Sequence, residues 1–587
     1  MISKRSKVTI VFLLVFASFA ILILVFFYRA TLDRRIVGRI ASDSDTSIRG
    51  DIITKDGFKI ATTQKIYDVK IDTRSLNPDK KDLFIQLYSI YTDENPNKIK
   101  KMINSKQGGI ILSKNISAKT AAHLKELSRF FSTNSVFIPF SDDKGRKYDP
   151  QAMGVIEKGE YRVYMAKDSL TPAIGYVKET VKNGIIKREG VKGIEKYYDD
   201  YLSSIKDADI KGSRDLSNNI IIEKPSDFGE RIDGYNLILN TSLKLQTMTE
   251  YILDVMIKDI EAREIVAGIM DSKTGEILTL ATTNRYNPSN IKKEEYRALN
   301  STSTEYAYEP GSVVKPIVFA YLLSANKVNP LEIINTHNGV YQHGKSIIKD
   351  SHPAKTMTAE EIIIHSSNIG MVELSKRISG EELYMNLIKF GFTKPSGIDM
   401  PYEQKGMIPS LSELNSEIYR GTASYGYGIQ TTFLQLLRAY AVFNNNGYLV
   451  TPQLVSNLQK DGKLYKGRPV PPKEQILSED IAKRMKNILI KVVKDGTGKK
   501  ADIAGLDIGG KTGTSRVAIG GGYSKSMYNA SFFGFADDKF GHSYTIGVFV
   551  REPKAGKIYA SQSAIPIFKN IVELLIQEQQ LIPTTSN

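Results

Sequence analysis

The 587-residue chain contains no cysteine. Disulfides, thiolate catalysis and cysteine-ligated zinc are therefore excluded, and the absence suits an oxidising envelope compartment. Histidine is scarce. The six are His123, His337, His343, His352, His365 and His542, and none stands at the His-x-x-x-His spacing of a metal pair. No metal and no cofactor is expected, and His365 reads as a partly exposed polar residue. The net charge of +16 is not matched by a basic recognition helix, zinc finger or RNA-binding signature. The lysines are scattered, as on a solvated surface; the sharper reading is attraction to an anionic membrane or a pyrophosphate-bearing lipid. Gly426-Tyr427-Gly428 lacks the further glycine and the preceding strand of a nucleotide loop. It reads as a turn packed close to the site described below. No internal repeat is present.

One long apolar run does occur. Residues 8–28 carry no charge and are long enough at helical rise to cross a bilayer. Lys4, Arg5 and Lys7 precede the run, and Phe26-Phe27-Tyr28-Arg29 stands where a cleavage site would need small residues, so a retained anchor is expected. Arg29, Arg34 and Arg35 follow on the other side, so charge alone does not set the orientation. The short N-terminal tail places residues 1–7 in the cytoplasm and the bulk outside.

Arg49 to Gly57 and Lys59-Ile60-Ala61 read as a short strand, an Asp-Gly turn and another strand. From about 75 to 230 the chain is polar, lysine-rich and of mixed character, without a catalytic motif. Residues 193–202 form a helical patch with a Tyr and Leu face that suits core packing. The turn-rich segment 206–234 marks a domain boundary. Asn240-Thr241 is placed to cap a helix carrying Leu245, Met248, Ile252, Val255 and Met256 at helical spacing. Residues 265–270 and 276–281 flank the turn Lys273-Thr274-Gly275 as a hairpin, and 530–536 with 544–550 make a second. Residues 564–581 read as a closing helix. Hairpins at both ends of a helical region imply an antiparallel sheet covered by helices, an α+β domain.

Three short motifs fall within that domain. In Glu309-Pro310-Gly311-Ser312-Val313-Val314-Lys315-Pro316, Ser312 and Lys315 share one helix face, and a serine hydroxyl needs such a neighbouring base to become a nucleophile. The spacing alone is weak, since Ser203 and Lys206 repeat it in an unremarkable segment. Downstream come Ser366-Ser367-Asn368, after Glu360 to Ile364, and Lys511-Thr512-Gly513-Thr514, after the turn-rich Asp507-Ile508-Gly509-Gly510. A helix serine with its lysine, then Ser-x-Asn, then Lys-Thr-Gly, resembles the penicillin-recognising serine acyltransferases.

The resemblance covers nearly the whole chain. The apolar run, Arg49-Gly50-Asp51-Ile52, Gly193-Ile194-Glu195 with Tyr198-Asp199, and Asp271 to Leu278 resemble class B penicillin-binding proteins. These are bitopic peptidoglycan transpeptidases. The resemblance implies a cytoplasmic tail (1–7), a transmembrane helix (8–28), an elongated mixed non-catalytic pedestal of the dimerisation type (29–235) and a penicillin-binding transpeptidase domain (236–587). Tyr308 to Ser312, Asn368 and Ser424-Tyr425-Gly426-Tyr427-Gly428 resemble the division-specific, septal branch; the elongation branch tends to carry Asp where Asn368 stands. Ala560-Ser561-Gln562 departs from a Gly-Gly pair common in the family, which bears on backbone approach near the last strand.

What the resemblance implies is a serine acyl-enzyme. Ser312 would attack the penultimate D-Ala of a stem pentapeptide, with Lys315 as base, Ser366 as proton relay and Asn368 orienting Lys315 and the substrate amide. Lys511, Thr512, Gly513 and Thr514 would hold the substrate carboxylate, and backbone N–H groups of Ser312 and Thr514 would form the oxyanion hole. Partial burial and the second cation at Lys511 would keep Lys315 neutral. Expected partners are stem peptides, β-lactams, a lipid-II-polymerising membrane glycosyltransferase of the shape-elongation-division-sporulation family, and other division proteins. The pedestal itself carries no recognisable glycosyltransferase motif. The alternatives are an elongation enzyme of the sidewall, a D,D-carboxypeptidase or β-lactamase, for which no dedicated hydrolytic glutamate stands out, and a β-lactam sensor or division scaffold.

Overall fold

The computed structural model describes residues 4–31, 41–142, 144–182, 184–214, 220–221, 229–343, 346–520 and 522–584. Residues 1–3 of the expected tail and much of the expected boundary segment 206–234 lie outside these. The chain divides into two compact units. One comprises residues 1–47 and 206–232. It contains the helix Lys4–Thr31, whose stretch Val8–Arg29 is long and apolar enough to cross a membrane, and an antiparallel pairing of Ala41–Asp45 with Ala208–Arg214.

The other unit, residues 48–205 and 233–587, is built on two sheets. The larger has nine strands. Its order is Lys463–Lys466, Val455–Lys460, Asn236–Leu239, Ile52–Ile53, Lys59–Asp72, Gly154–Tyr164, Ile185–Gly190 and Val177–Lys182, with Gly109–Ser117 also paired to Lys59–Asp72. Three helices, Lys81–Thr92, Pro96–Ser105 and Ala118–Thr133, close a small core around Phe84, Tyr88, Leu124 and Phe131. The helices start where the sequence offers caps: the Asn95 side chain accepts from Asn97 N, and Pro96 fills a position whose N–H has no helical partner.

A buried ion network ties this part together. Arg49 donates from Nε to Glu195 Oε2 at 2.8 Å, from Nη2 to Glu195 O at 2.7 Å and from Nη1 to Asp199 Oδ1 at 2.7 Å. Arg162 Nε donates to the other Glu195 oxygen at 2.8 Å. Burial alone would raise the Glu195 carboxyl; Arg162 and Arg49 together hold it below its ordinary value. Gly50 lets the chain pass so close to Tyr235 that a Cβ would sit 1.9 Å from its carbonyl oxygen. The 193–202 patch is two short helices, Gly193–Tyr197 and Asp199–Leu202. Ile194, Tyr198 and Leu202 are buried, and the acidic residues between them hold Arg49.

The smaller sheet has five strands, all antiparallel, in the order Ile277–Thr282, Glu264–Asp271, Ser543–Arg551, Gly522–Asp537 and Asp507–Ile519. Side-chain alternation along a strand sorts its residues to two faces. Ile265, Ala267 and Ile269 join Phe532, Val548 and the helix Ala564–Gln577 in one core. Val266, Met270, Phe533 and Phe549 join the opposite core, with Phe433 and Leu437. The rings make the split visible: Phe532 meets Phe568 at 4.7 Å, and its neighbour Phe533 meets Phe433 at 5.3 Å.

Several expectations shift in detail. Asp507 to Gly510 belongs to a strand, not a turn. Its glycines make room for aromatic rings, since a Cβ on Gly509 would lie 2.3 Å from Phe535 and one on Gly510 2.6 Å from Phe532. The helix Leu243–Ile260 is capped by Ser242. Asn240 and Thr241 instead bond the carbonyls of Gln453 and Ile277. Val255 faces outward, and the closing helix stops at Gln577 rather than 581.

Removing one partner of a buried ion pair strands the other charge, at a cost of roughly 3–5 kcal/mol. Arg49→Ala is therefore expected to lower the urea midpoint of the protein far more than Lys98→Ala, whose side chain is exposed and whose partner Glu94 keeps the Ser113 hydroxyl as a donor. Equal midpoints for the two variants would show that the network contributes little.

Candidate active site

Ser312 does not lie in the α-helix. Residues Gly311–Val314 form one 3-10 turn, and the α-helix Lys315–Ser324 begins at the lysine, with Pro316 in its first turn. Gly311 supplies the left-handed step into the turn, at φ +61°. The turn is pinned from below by Tyr440, whose hydroxyl donates to Val313 O at 2.8 Å. From the side it is packed against the 424–428 segment: Gly311 N–H donates to Gly426 O at 3.2 Å, and a Cβ on Gly426 would sit 2.0 Å from Gly311 O. The glycine turn thus lies against the 311–314 turn, and sterics account for the glycine at 426.

Lys315 is fully buried. Its Nζ donates to Ser366 O at 2.6 Å and to Asn368 Oδ1 at 2.7 Å, and lies 3.2 Å from Ser366 Oγ. The bonds drawn at Lys315 thus run to the Ser-x-Asn segment. Burial first, and the Lys511 cation second, push the Lys315 amine well below its ordinary value, against a smaller opposing pull from Asp350. In a neutral amine, which has two N–H groups and a lone pair, the two short contacts to oxygens that only accept would take both N–H groups and leave the lone pair for a hydroxyl.

Ser366 holds a left-handed backbone, φ +61°, between the helices Ala359–Ile364 and Asn368–Ser375. This sparsely populated conformation accompanies the close approach of its carbonyl to Lys315. A residue without any signal in local spacing holds the arrangement. The Asp350 carboxylate accepts from Asn368 N at 2.6 Å, from Ile369 N at 3.2 Å and from the Ser367 hydroxyl. It therefore caps the helix that starts at Asn368.

Lys511, Thr512, Gly513 and Thr514 lie on Asp507–Ile519, an edge strand of the five-stranded sheet. Gly513 permits the contact with the 311–314 turn, since a Cβ there would lie 2.9 Å from Pro310 O and 2.9 Å from Val313 Cγ1. Lys511 is buried, which lowers its ammonium to about 7, and its Nζ lies 3.2 Å from Thr512 Oγ1. Thr497, also not singled out by the sequence, joins two walls. Its N–H donates to Ile364 O at 3.3 Å and its hydroxyl meets Thr512 Oγ1 at 2.9 Å. Among the described residues no group of three or more His, Asp or Glu could hold a metal ion.

A family model described as the penicillin binding protein transpeptidase domain matches residues 265–573. The chain belongs to that family. A second, described as the penicillin-binding protein dimerisation domain, matches residues 44–239, and the two together make this a class B penicillin-binding protein with a transpeptidase domain. The peptidoglycan D,D-transpeptidase FtsI of Buchnera aphidicola is 30% identical over 405 residues, 68% of this chain and 67% of that protein. Stage V sporulation protein D of Bacillus subtilis is 27% identical over 552 residues, 91% of this chain and 79% of that one. The fold matches the crystal structure of penicillin binding protein 2X from Streptococcus thermophilus with a TM-score of 0.75 at 19% identity, over 93% of this chain and 83% of that one.

Asp350→Ala removes three hydrogen bonds from the start of the Asn368 helix. Because misplacing a reacting group by about 1 Å can cost on the order of a hundredfold, acylation of the variant by penicillin is expected to slow by at least about tenfold. Stopped-flow or gel-based labelling checks this; an unchanged rate would mean the helix start is held without the carboxylate.

Proposed function

We propose that this transpeptidase cross-links peptidoglycan stem peptides through an acyl-enzyme on Ser312, that β-lactams inhibit it at the same serine, and that it works at the division septum. The observation that carries the chemistry is the buried Lys315 amine, enclosed by Ser366 and Asn368 and facing a second buried lysine. Ser312 Oγ attacks the carbonyl carbon of the penultimate D-Ala, and its proton passes to the Lys315 lone pair. The negative charge that develops on the carbonyl oxygen is met by the N–H groups of Ser312 and Thr514. This assignment is supported by the place of Ser312 in the 3-10 turn that leads into the helix Lys315–Ser324, where the opening N–H groups lack helical partners, and of Thr514 on the edge strand. The C–N bond then breaks, and Lys315 returns the proton through Ser366 Oγ to the departing D-Ala amine. An amine from a neighbouring stem attacks the ester in turn and releases Ser312 with its proton restored. Preorganised donors of this kind contribute roughly 3–4 kcal/mol each in comparable sites. Lys511, Thr512 and Thr514 hold the terminal carboxylate, and the approach of Gly513 lets the strand reach it.

We further assign residues 1–7 to the cytoplasm, 8–28 to a membrane anchor, 29–235 to the pedestal and 236–587 to the catalytic domain, outside the cytoplasm. The helix Lys4–Thr31 supports the anchor by its length and apolarity. The septal assignment rests on the residues Tyr308 to Ser312, Asn368 and Ser424 to Gly428, which resemble the division-specific branch. A membrane lipid-II polymerase and other division proteins are the partners that this role requires.

Labelled penicillin is expected to attach covalently to Ser312, as read by peptide mass, and not to attach to Ser312→Ala. The rate constant for labelling should be bell-shaped in pH. It falls on the acid side as Lys315, depressed by burial and Lys511, takes up a proton. It falls on the alkaline side as Lys511 loses its charge above about 7 and no longer attracts the carboxylate. A rate that keeps rising steadily with pH would remove Lys511 as the carboxylate's cation.

Depletion in the native bacterium is expected to give filaments, with a fluorescent fusion of the full chain at midcell. Rounded cells and a sidewall fusion would assign the enzyme to elongation, and a defect confined to spore formation would assign it to sporulation.

A further inference from the structure

Glu309 takes no part in the proton transfers above, yet it touches three walls of the site. Its backbone oxygen accepts from Ser515 Oγ at 2.7 Å, one residue beyond Thr514. Its Oε1 accepts from the N–H of Gly428 at 2.9 Å and from the hydroxyl of Tyr523 at 3.0 Å. Gly428 ends the glycine turn that lies against Gly311. Tyr523 begins the strand Gly522–Asp537, which pairs with the 507–519 strand. The Tyr523 ring stands edge-on to Tyr427 at 5.3 Å, and Tyr427 to Tyr425 at 5.7 Å, so the acceptor sits at the end of an aromatic row.

The arrangement has a cost. Glu309 Oε2 is buried without a hydrogen-bond partner, and burial raises the carboxyl above its ordinary value. A buried polar atom left unpaired is unfavourable and calls for an explanation. Chain geometry offers one. Glu309 is joined to the nucleophile turn through Pro310, whose ring restricts φ, so little slack separates its anchoring from Ser312 N. The strand opposite is equally close: the Cβ position of Gly311 lies 3.0 Å from Thr514 O.

We propose that Glu309 is a positioning residue: by gathering the Gly428, Tyr523 and Ser515 donors it fixes the spacing between the N–H of Ser312 and that of Thr514. This rests on the assignment of Ser312 as the nucleophile. The effect falls on the acylation step, where the developing oxyanion needs both donors at once, and not on the first, non-covalent encounter.

The test uses the full chain in detergent, with a labelled penicillin as probe, and separates the acylation rate constant from the dissociation constant. Glu309→Ala is expected to lower the rate constant by about tenfold or more with the dissociation constant unchanged. Glu309→Gln, whose amide oxygen accepts the same two donors, should stay within about threefold of wild type. Tyr523→Phe removes one hydroxyl from a half-exposed ring and should give a smaller but measurable loss. Should Glu309→Ala fail to fold, the Tyr523→Phe and Glu309→Gln pair decides. The proposal is overturned if Tyr523→Phe acylates at the wild-type rate, if Glu309→Gln loses as much as Glu309→Ala, or if the loss lies in the dissociation constant. A wild-type adduct at a residue other than Ser312 would instead remove the nucleophile assignment on which it depends.

Discussion

A fully buried lysine amine, that of Lys315, is the constraint on which the rest of this structure turns. A charged ammonium in such a place is strongly disfavoured, so the protein must supply apolar packing on one side and acceptors on the other. The helix behind Lys315 answers the first need. Ile317, Val318, Phe319 and Ala320 are all fully buried, so the first turns of the helix have no solvent face. Ser366 and Asn368 answer the second with two oxygens at hydrogen-bond distance. The same burial that disfavours the cation pushes the amine well below its ordinary value, and Lys511 adds to the effect through its own charge.

The polar part of that slot must be rigid, because a neutral amine is useful only while its two N–H groups stay occupied. Rigidity comes from backbone devices that cost something locally. Ser366 is left-handed without being glycine, and its strain is tolerated because Asp350 and the Ser367 hydroxyl fix the helix that follows. On the opposite wall, Gly426 and Gly513 each allow an approach that a side chain would block, and Gly311 supplies a left-handed backbone. The 311–314 turn is thus wedged between the glycine turn and the edge strand, with Tyr440 beneath it.

How much of this could be read in the sequence follows from the range of each interaction. Strand patterning and the order of the three motifs were legible: the two hairpins of the antiparallel sheet, its covering helices and the motif residues around Lys315 come from them, whereas the fifth strand, Asp507–Ile519, does not. Glycine was the weak point, because the same residue serves a turn or a close approach. Gly509 and Gly510 looked like a turn and instead sit mid-strand beneath phenylalanine rings. Asp350, Thr497 and Tyr440 left no trace at all, since each acts on a partner far along the chain through a bond that no spacing encodes. The Glu195 partner of Arg49 was hidden for the same reason, although both residues lay in stretches that drew attention.

The long-range contacts also join what the sequence separates. The hairpin Val455–Lys460 with Lys463–Lys466 comes from the catalytic part of the chain, yet it extends the nine-stranded sheet by pairing with Asn236–Leu239. Asp399 continues the seam, accepting from Leu454 N at 2.7 Å, from Val455 N at 2.8 Å and from the Tyr198 hydroxyl at 3.1 Å. Tyr198 in turn follows the helix of Glu195, which holds Arg49. A continuous path of ladder bonds and buried polar contacts therefore runs from the Arg49 network to the strand after Asp399. Backbone ladders and satisfied buried groups resist sliding more than apolar contact alone does. Displacing the hairpin from Asn236–Leu239 would break the sheet and strand the buried Asp399 carboxylate at the same point, so one continuous set of bonds joins the two parts.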